Sequence, residues 1–322
     1  AINVGGALER SLHIENDDLH INGEMYRLAG RRIFFVGVGK CAFTAAGAIE
    51  KILGARLTAG IALDVSPIEG TSPSKIEMYV GSHPLPSDEN ERATERIIDL
   101  LSGCTENDLV LMLISGGGST LLCSHKAPMT CLNESALFSE LTAQGATIQD
   151  INTVRKHTSQ ARGGGLAKAA YPAEVVSLIV SDVPGNDIDV IASGPTVLDS
   201  STIEDAKSVL EKYRITAAAN IEFLETPKEP KYFERVHNAL FLSSQNALAA
   251  MQSEAARLGY VATIVDDRFD GEARETGRAI VDALHDAPEK TALLYAGEST
   301  VLLPPTRHGA DEPSPRQSGL LP

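Results

Sequence analysis

The chain has 322 residues, 43% of them hydrophobic, and a formal charge of -15, enough length to bury a sizeable core and to form two domains. The acidic balance excludes a nucleic-acid binder, which needs clustered Lys and Arg to displace phosphate counterions; a small anionic substrate would need a local basic pocket in an acidic surface. No apolar run approaches the roughly 20 residues of a bilayer span, and AINVGGALERSLHIENDD lacks the basic-then-apolar pattern of a signal peptide, so the expectation is a cytoplasmic protein with no membrane partner.

Short apolar runs alternate with amphipathic stretches, the sign of parallel strands joined by crossover helices. Strands are expected near 33–36, 60–65, 77–80, 109–114 and 174–181, with helices near 42–53, 88–102, 133–144 and 202–213. The fold class is α/β: a doubly wound, mostly parallel, three-layer sheet domain over residues 1–228. The polar, Pro-containing LETPKEPKYFERVHN separates it from a second, smaller α/β domain over 236–303. That domain runs through ALFLSS, NALAAMQSEAARLG, VATIV, EARETGRAIVDALH and TALLYAGESTVLL and is C-terminally incomplete. The last stretch, 304–322, has several prolines and neither period, and is expected to be irregular.

Four polar, glycine-rich turns follow strands. In VGVGKCAFTAAG, Gly37 and Gly39 stand at a strand-to-helix turn and Lys40 leads into an Ala-rich helix. Glycines there let backbone amides approach an anion, and the helix start adds partial positive charge at the carboxyl edge of the sheet; taken alone, a structural turn is the equal alternative to a functional lysine. It is not a Walker A loop, since Phe34 stands where the first Gly would fall. It is a poor dinucleotide fingerprint, with Ala42 in the third Gly position and only Asp64 as an acidic ribose partner.

In LVLMLISGGGSTLL a buried strand runs into Ser115, Gly116, Gly117, Gly118 and Ser119. Three successive glycines cost backbone entropy, which points to close approach of a ligand backbone or phosphate, with a flexible turn as the alternative. In INTVRKHTSQARGGGLAKAAYP, residues Arg155, Lys156, Ser159 and Arg162 fall on a short polar helix, either a donor face for a carboxylate or phosphate or a solvated face. In VVSLIVSDVPGNDIDVIASGPT, the carboxylates Asp182, Asp187 and Asp189 follow a strand, as metal-holding groups do in phosphoryl transfer and as turn residues do for local reasons. Ser193, Gly194, Pro195 and Thr196 close the segment. Together the four turns describe one anion-binding crevice.

His83, in GSHPLPSDEN, either lines that crevice or stabilises its turn, and His157 is expected to be exposed. The eight histidines show no triad or metal-ligand spacing, and Ser115 lacks a nucleophile elbow. Cys41, Cys104, Cys123 and Cys131 show neither metal-ligand spacing nor a dense disulfide framework, so reduced thiols are expected.

VGVGKCA, GSHPLPSDEN, LISGGGSTLL, the long stretch from GATIQDINTVRKHTS to IASGPTV, and YAGESTV resemble the glycerate 2-kinases, a family with an N-terminal Rossmann-like domain and a C-terminal MOFRL domain. The resemblance reaches about Leu303, and its central stretch is highly specific. It implies transfer of the ATP γ-phosphoryl group to a hydroxyl of D-glycerate, usually the 2-hydroxyl, with Mg²⁺, in a cleft between the domains. Lys40 matches the family's functional lysine.

The roles that follow are expectations. The turn from Gly116 to Ser119 holds phosphates with Gly37, Gly39, Ser115, Lys156 and Ser193; Arg155 orients the carboxylate of glycerate. Asp182 or Asp187 binds metal or the hydroxyl, and Glu298 and Ser299 enter from the second domain. D-glycerate is the small-molecule partner, and a homodimer is left open.

There is one departure from the family. After GESTV the family continues into a Gly-rich Gly-Gly-Arg-Asn-Gln segment that this chain lacks, and a shifted reading frame around Gly309 to Pro315 would restore part of it. The chain also opens at Ala1 rather than Met, so processing or an incomplete gene is expected; the lacking segment makes an inactive truncated kinase a competing expectation. The others are a phosphosugar- or nucleotide-binding module without turnover, and a Rossmann oxidoreductase.

Overall fold

A computed structural model describes residues 3–67, 73–183, 185–216 and 221–301; the tail expected to be irregular, 304–322, lies outside them. Helix α1 (Val4–Ser11) leads into an antiparallel meander of β1 (Leu12–Glu15), β2 (Asp18–Ile21) and β3 (Glu24–Arg27). None of these was anticipated, although Asn22-Gly23 is a hairpin signal. Asn16, Asp17, Asn22 and Gly23 all have positive φ, the turn geometry whose twist matches that of the strands it joins.

The main sheet then begins with β4 (Ile33–Val38), α2 (Ala42–Leu53), β5 (Leu57–Asp64) and β6 (Ile76–Val80). Helix α3 (Asp88–Ser102) returns the chain to β7 (Leu109–Ile114), which is followed by the short α4 (Gly118–Leu121). Helices α5 (Cys131–Ala143), α6 (Ile148–Lys156) and α7 (Gly165–Ala170) precede β8 (Glu174–Val180), and α8 (Ile203–Lys212) precedes β9 (Val236–Leu242).

All six strands are parallel, in the order β6-β5-β4-β7-β8-β9. Every residue of β4 and β7 is buried, as expected of strands covered on both faces. One core packs Leu8 of α1 and Ile49 of α2 against Phe35 and Leu111, and the other packs Ile97 of α3 and Leu166 of α7 against Val36 and Met112. From β4 the chain builds outward in one direction, then returns and builds from β7 in the other. The carboxyl ends of β4 and β7 therefore flank the point where strand order reverses, and open α/β sheets bind ligands there.

Two expectations are corrected. Strand β9 was placed in the second domain, but it pairs with β8 from Val175↔Val236 to Val180↔Leu242, which satisfies backbone groups that β8 would otherwise expose at a sheet edge. Cys123 and Cys131 form a disulfide rather than two thiols, because the segment before α5 folds back and buries both; Cys41 and Cys104 are free.

The remaining elements are α9 (Ser244–Arg257), β10 (Val261–Phe269), α10 (Ala273–Asp286) and β11 (Thr291–Gly297). Strands β10 and β11 form a separate parallel pair. No described helix is long and apolar enough to cross a membrane.

Candidate active site

The site grows from the way three strand ends are laced together. Gly39 N–H donates to the Leu63 carbonyl (3.1 Å), Lys40 N–H to the Gly116 carbonyl (3.0 Å) and Ser115 N–H to the Val38 carbonyl (2.9 Å). Gly39 has φ +116°, and any side chain there would strike the Ser115 hydroxyl, so only glycine lets the two turns approach. Lys40 then lies across the neighbouring turn. Its Cε is 3.4 Å, and His83 Cδ2 3.5 Å, from the place where a side chain on Gly117 would begin.

Asp64 does not wait for a ribose. It is buried at 1% exposure and accepts from the amides of Phe43 (3.0 Å), Val65 (2.7 Å) and Ser66 (3.1 Å), a negative group against the first turn of α2. A cleft of about 820 Å³ opens beside Lys40, lined also by Phe43, Thr44, Asp64 and Pro67.

On the other side, Asp182 leaves β8 with an exposed carboxylate, and a side chain at Gly116 would run into it. Ser115 is buried, and its hydroxyl reaches the Val38 carbonyl (3.3 Å). The Gly118 amide donates to the Ser115 carbonyl (3.2 Å), so that donor closes the turn. Ser193 Oγ lies 3.0 Å from both Ser119 Oγ and Asn152 Oδ1. The Asn152 oxygen only accepts, so Ser193 donates to it and accepts from Ser119. Ala192 and Ser193 both have positive φ (53° and 57°), a strained turn that these contacts hold in place.

Arg155 stands in the last turn of α6 with its guanidinium 4.3 Å above the Phe138 ring, and its buried Nε has no hydrogen-bond partner among the described residues. Burial and the Arg162 charge pull its pKa down to about 10 against the opposing Glu134, leaving a desolvated cation at neutral pH. The pKa of His83 is lowered by burial and then by Lys40 and Arg155, with Asp182 opposing. Asn90 braces the His83 loop, accepting from Ser82 N–H (2.8 Å) and donating to the carbonyls of Ser82 (3.0 Å) and Thr120 (3.2 Å). Lys40, Arg155 and Asp182 thus act on His83, and the turn from Gly116 to Ser119 meets Lys40, His83 and Asp182 at the strand-order reversal.

Other expected residues lie elsewhere. The Lys156 amine is buried and donates to Asp199 (3.1 Å), with Asp189 at 3.7 Å; it is already paired and is not a free phosphate ligand. Burial pushes Asp199 up, but the Ser201 hydroxyl and Lys156 outweigh it and hold its carboxyl low. His157 is not exposed but fully buried, its ring nitrogens 3.0 Å from the Leu224 carbonyl and 3.1 Å from the Ser201 hydroxyl.

Arg162 is fully buried too, donating to Glu134 at 2.8 Å. Helix α6 stops at Lys156, so the 155–162 stretch is no solvated helix face. Asp187 lies on the exposed turn after β8. Glu298 follows β11, with its amide on the Phe269 carbonyl (3.1 Å); among the described residues no hydrogen bond or ion pair joins it to the crevice. Asn152, Asn90, Glu134 and Asp199 were missed, because single polar residues inside apolar or turn sequence carry no spacing signal.

The family model described as "Domain of unknown function (DUF4147)" matches residues 1–225. A D-glycerate 2-kinase of Thermotoga maritima is 36% identical over 301 residues, covering 91% of this chain and 72% of that protein. A relative from Agrobacterium vitis carrying a hydroxypyruvate reductase name is 38% identical over 284 residues, covering 82% of this chain and 64% of its own. The crystal structure of a glycerate kinase from Thermotoga maritima superposes with a TM-score of 0.74 at 36% identity, over 85% of this chain and 68% of that one. The chain thus spans about two thirds of the length of these relatives. A family model over more than half of its residues, and a kinase relative 36% identical across most of both chains, show that the chain belongs to the glycerate 2-kinase family.

Proposed function

We propose that the crevice transfers the γ-phosphoryl group of ATP to the 2-hydroxyl of D-glycerate. The observation that carries this reading is Lys40 lying across Gly117 beside His83, Arg155 and Asp182. Phosphoryl transfer needs little covalent help from the protein; it needs aligned reactants and neutralised oxygens. The hydroxyl oxygen forms the new bond to phosphorus as the bond to the β-γ bridging oxygen breaks; ADP leaves with that electron pair, and the hydroxyl proton passes to the Asp182 carboxylate or to water.

Lys40 neutralises the transferring group, and the turn from Gly116 to Ser119 supports the neighbouring phosphates. Arg155, desolvated and with an unpartnered Nε, takes the glycerate carboxylate, which satisfies a buried donor. Asp182 holds the attacking hydroxyl or the metal. Its exposed carboxylate beside the phosphate turn fits Mg²⁺, a hard cation bound through one or two carboxylates plus substrate oxygens, and Asp187 is the second candidate. When bound, Mg²⁺ supplies charge neutralisation on the β- and γ-oxygens.

The test is ADP formation requiring both D-glycerate and Mg²⁺, with the product identified by ³¹P NMR. It is run on this chain and on one whose tail continues the Gly-Gly-Arg motif. Lys40→Ala is expected to lower kcat by about 10²–10³, the scale for loss of one transition-state charge donor; wild-type turnover would remove its role. The relative with a reductase name favours a second reading, which Asp64 and Ala42 oppose. Saturable NAD(P)H binding without ADP formation would establish it.

A further inference from the structure

The segment joining α4 to α5 gathers a group of side chains that the phosphoryl-transfer crevice does not use. Cys123, His125 and Cys131 bring their ligand atoms within 4.8 Å of one another, and His125 Nε2 lies 3.4 Å from Cys123 Sγ. Glu134 stands three residues after Cys131 in α5, on the same helix face. Its Oε2 is 2.6 Å from His125 Nε2 and 3.4 Å from Cys123 Sγ. All four residues are buried. Two sulfurs, an imidazole and a carboxylate around one point are the donor types that zinc takes in four-coordinate sites.

The histidine supplies an independent reason to expect a cation. Its Nδ1 lies 2.5 Å from the Thr158 carbonyl, which can only accept, so Nδ1 carries the proton. In a neutral ring, Nε2 then turns a lone pair toward the Glu134 carboxylate at 2.6 Å. Two acceptors face each other where both side chains are buried, and a shared cation or an additional proton resolves the conflict. A ring anchored through Nδ1–H on a backbone carbonyl, with Nε2 free, is also how metal-bound histidines are oriented.

We propose that Cys123 and Cys131, when reduced, bind one Zn²⁺ together with His125 and Glu134. The disulfide in the structure is the oxidised state of this site. Two equivalents of a small thiol convert it: the Cys123–Cys131 bond breaks, each sulfur gains a proton, and the thiol leaves as its own disulfide. Zn²⁺ then displaces the two thiol protons, so the exchange leaves the total buried charge unchanged. That balance matters because Arg162 donates to Glu134 from one side with its Nε and Nη1 unpartnered, and the Arg155 charge also acts on Glu134.

The experiment uses the whole chain, reduced with a small thiol, freed of it without air, and titrated with Co²⁺ as a spectroscopic stand-in for Zn²⁺. The expected result is thiolate-to-cobalt charge-transfer absorption that saturates at one equivalent, is displaced by Zn²⁺, and is absent from the oxidised protein. Cys131→Ser and His125→Gln are each expected to weaken binding by at least about tenfold, whereas Cys41→Ser with Cys104→Ser leaves the absorption in place. The proposal is overturned if the reduced wild type shows no such band, or if the band survives both ligand substitutions or disappears with Cys41 and Cys104. The oxidised-against-reduced comparison needs no substitution, so it decides the matter even where a variant fails to fold.

Discussion

The six-stranded sheet and the β10–β11 pair are written in the same alternation of apolar strand and amphipathic helix, yet they bury their strands differently. Every residue of β7 is buried, whereas in β10 Val261 is 71% exposed and Val265 48% exposed. Helices α1 and α2 cover one face of the large sheet and α3 and α7 the other. The smaller pair has α9 packed against it, and α10 buries none of its residues. The difference teaches that hydrophobic pattern identifies a strand but does not supply its cover. It also separates the expected site: Lys40, Arg155 and Asp182 stand on elements tied to the covered sheet, while Glu298 follows a strand of the exposed pair.

The contrast can be broken most decisively in the core. Leu111→Ala, at a position 1% exposed, is expected to cost about 2–5 kcal/mol in denaturant unfolding; a loss below that range would show the sheet to be less tightly packed than its burial implies. Next in size is Gly116→Ala. The added methyl meets the Asp182 carboxylate, so an overpacking cost of about 1–3 kcal/mol is expected together with a loss of kinase turnover. An unchanged enzyme would mean that Asp182 can swing away without consequence.

A smaller effect is expected from His83. Its folded pKa is lowered below 6.5 by burial and by Lys40 and Arg155, so in acid the unfolded chain takes up the proton first. The stability linked to neutral His83 is fully present above pH 6.5 and declines as pH falls below it toward the lowered folded value. His83→Gln should flatten that part of the stability-against-pH curve; an unaltered curve would place the histidine away from both cations. The smallest effect belongs to the exposed pair, where Val261→Ala should change stability by no more than about 0.5 kcal/mol. A loss comparable to that at Leu111 would mean that something covers β10 in solution.

Much of the large sheet was legible because its signals are local. The runs ending in GVGK and SGGGS are strands too apolar for anything but a two-sided core, and helices 42–53 and 88–102 appear where their period places them. The meander of β1 to β3 was passed over because four-residue strands carry little alternation, even with Asn22-Gly23 between two of them. Within the crevice, Gly39, Lys40 and the Ser115–Ser119 turn were visible as glycine placed against a strand end. Lys156, His157 and Arg162 were misplaced because a run of cations and polar groups looks the same whether solvated or buried with partners. The partners, Asp199, Ser201 and Glu134, lie 28 to 44 residues away in the chain.

The sequence by itself determined which segments become parallel strands, where their glycine turns fall, and which family the residues resemble, because period and turn chemistry act over a few neighbouring residues. Only the tertiary structure decided that β9 closes the large sheet, that Asp64 caps a helix, and that Arg155 stacks on Phe138 with its Nε unbonded among the described residues while Lys156 beside it is neutralised. It also decided that Cys123, His125 and Cys131 cluster, with Glu134 against His125 and Cys123. Charge pairing and burial depend on distances through space, and those distances come into being when the strands take their order.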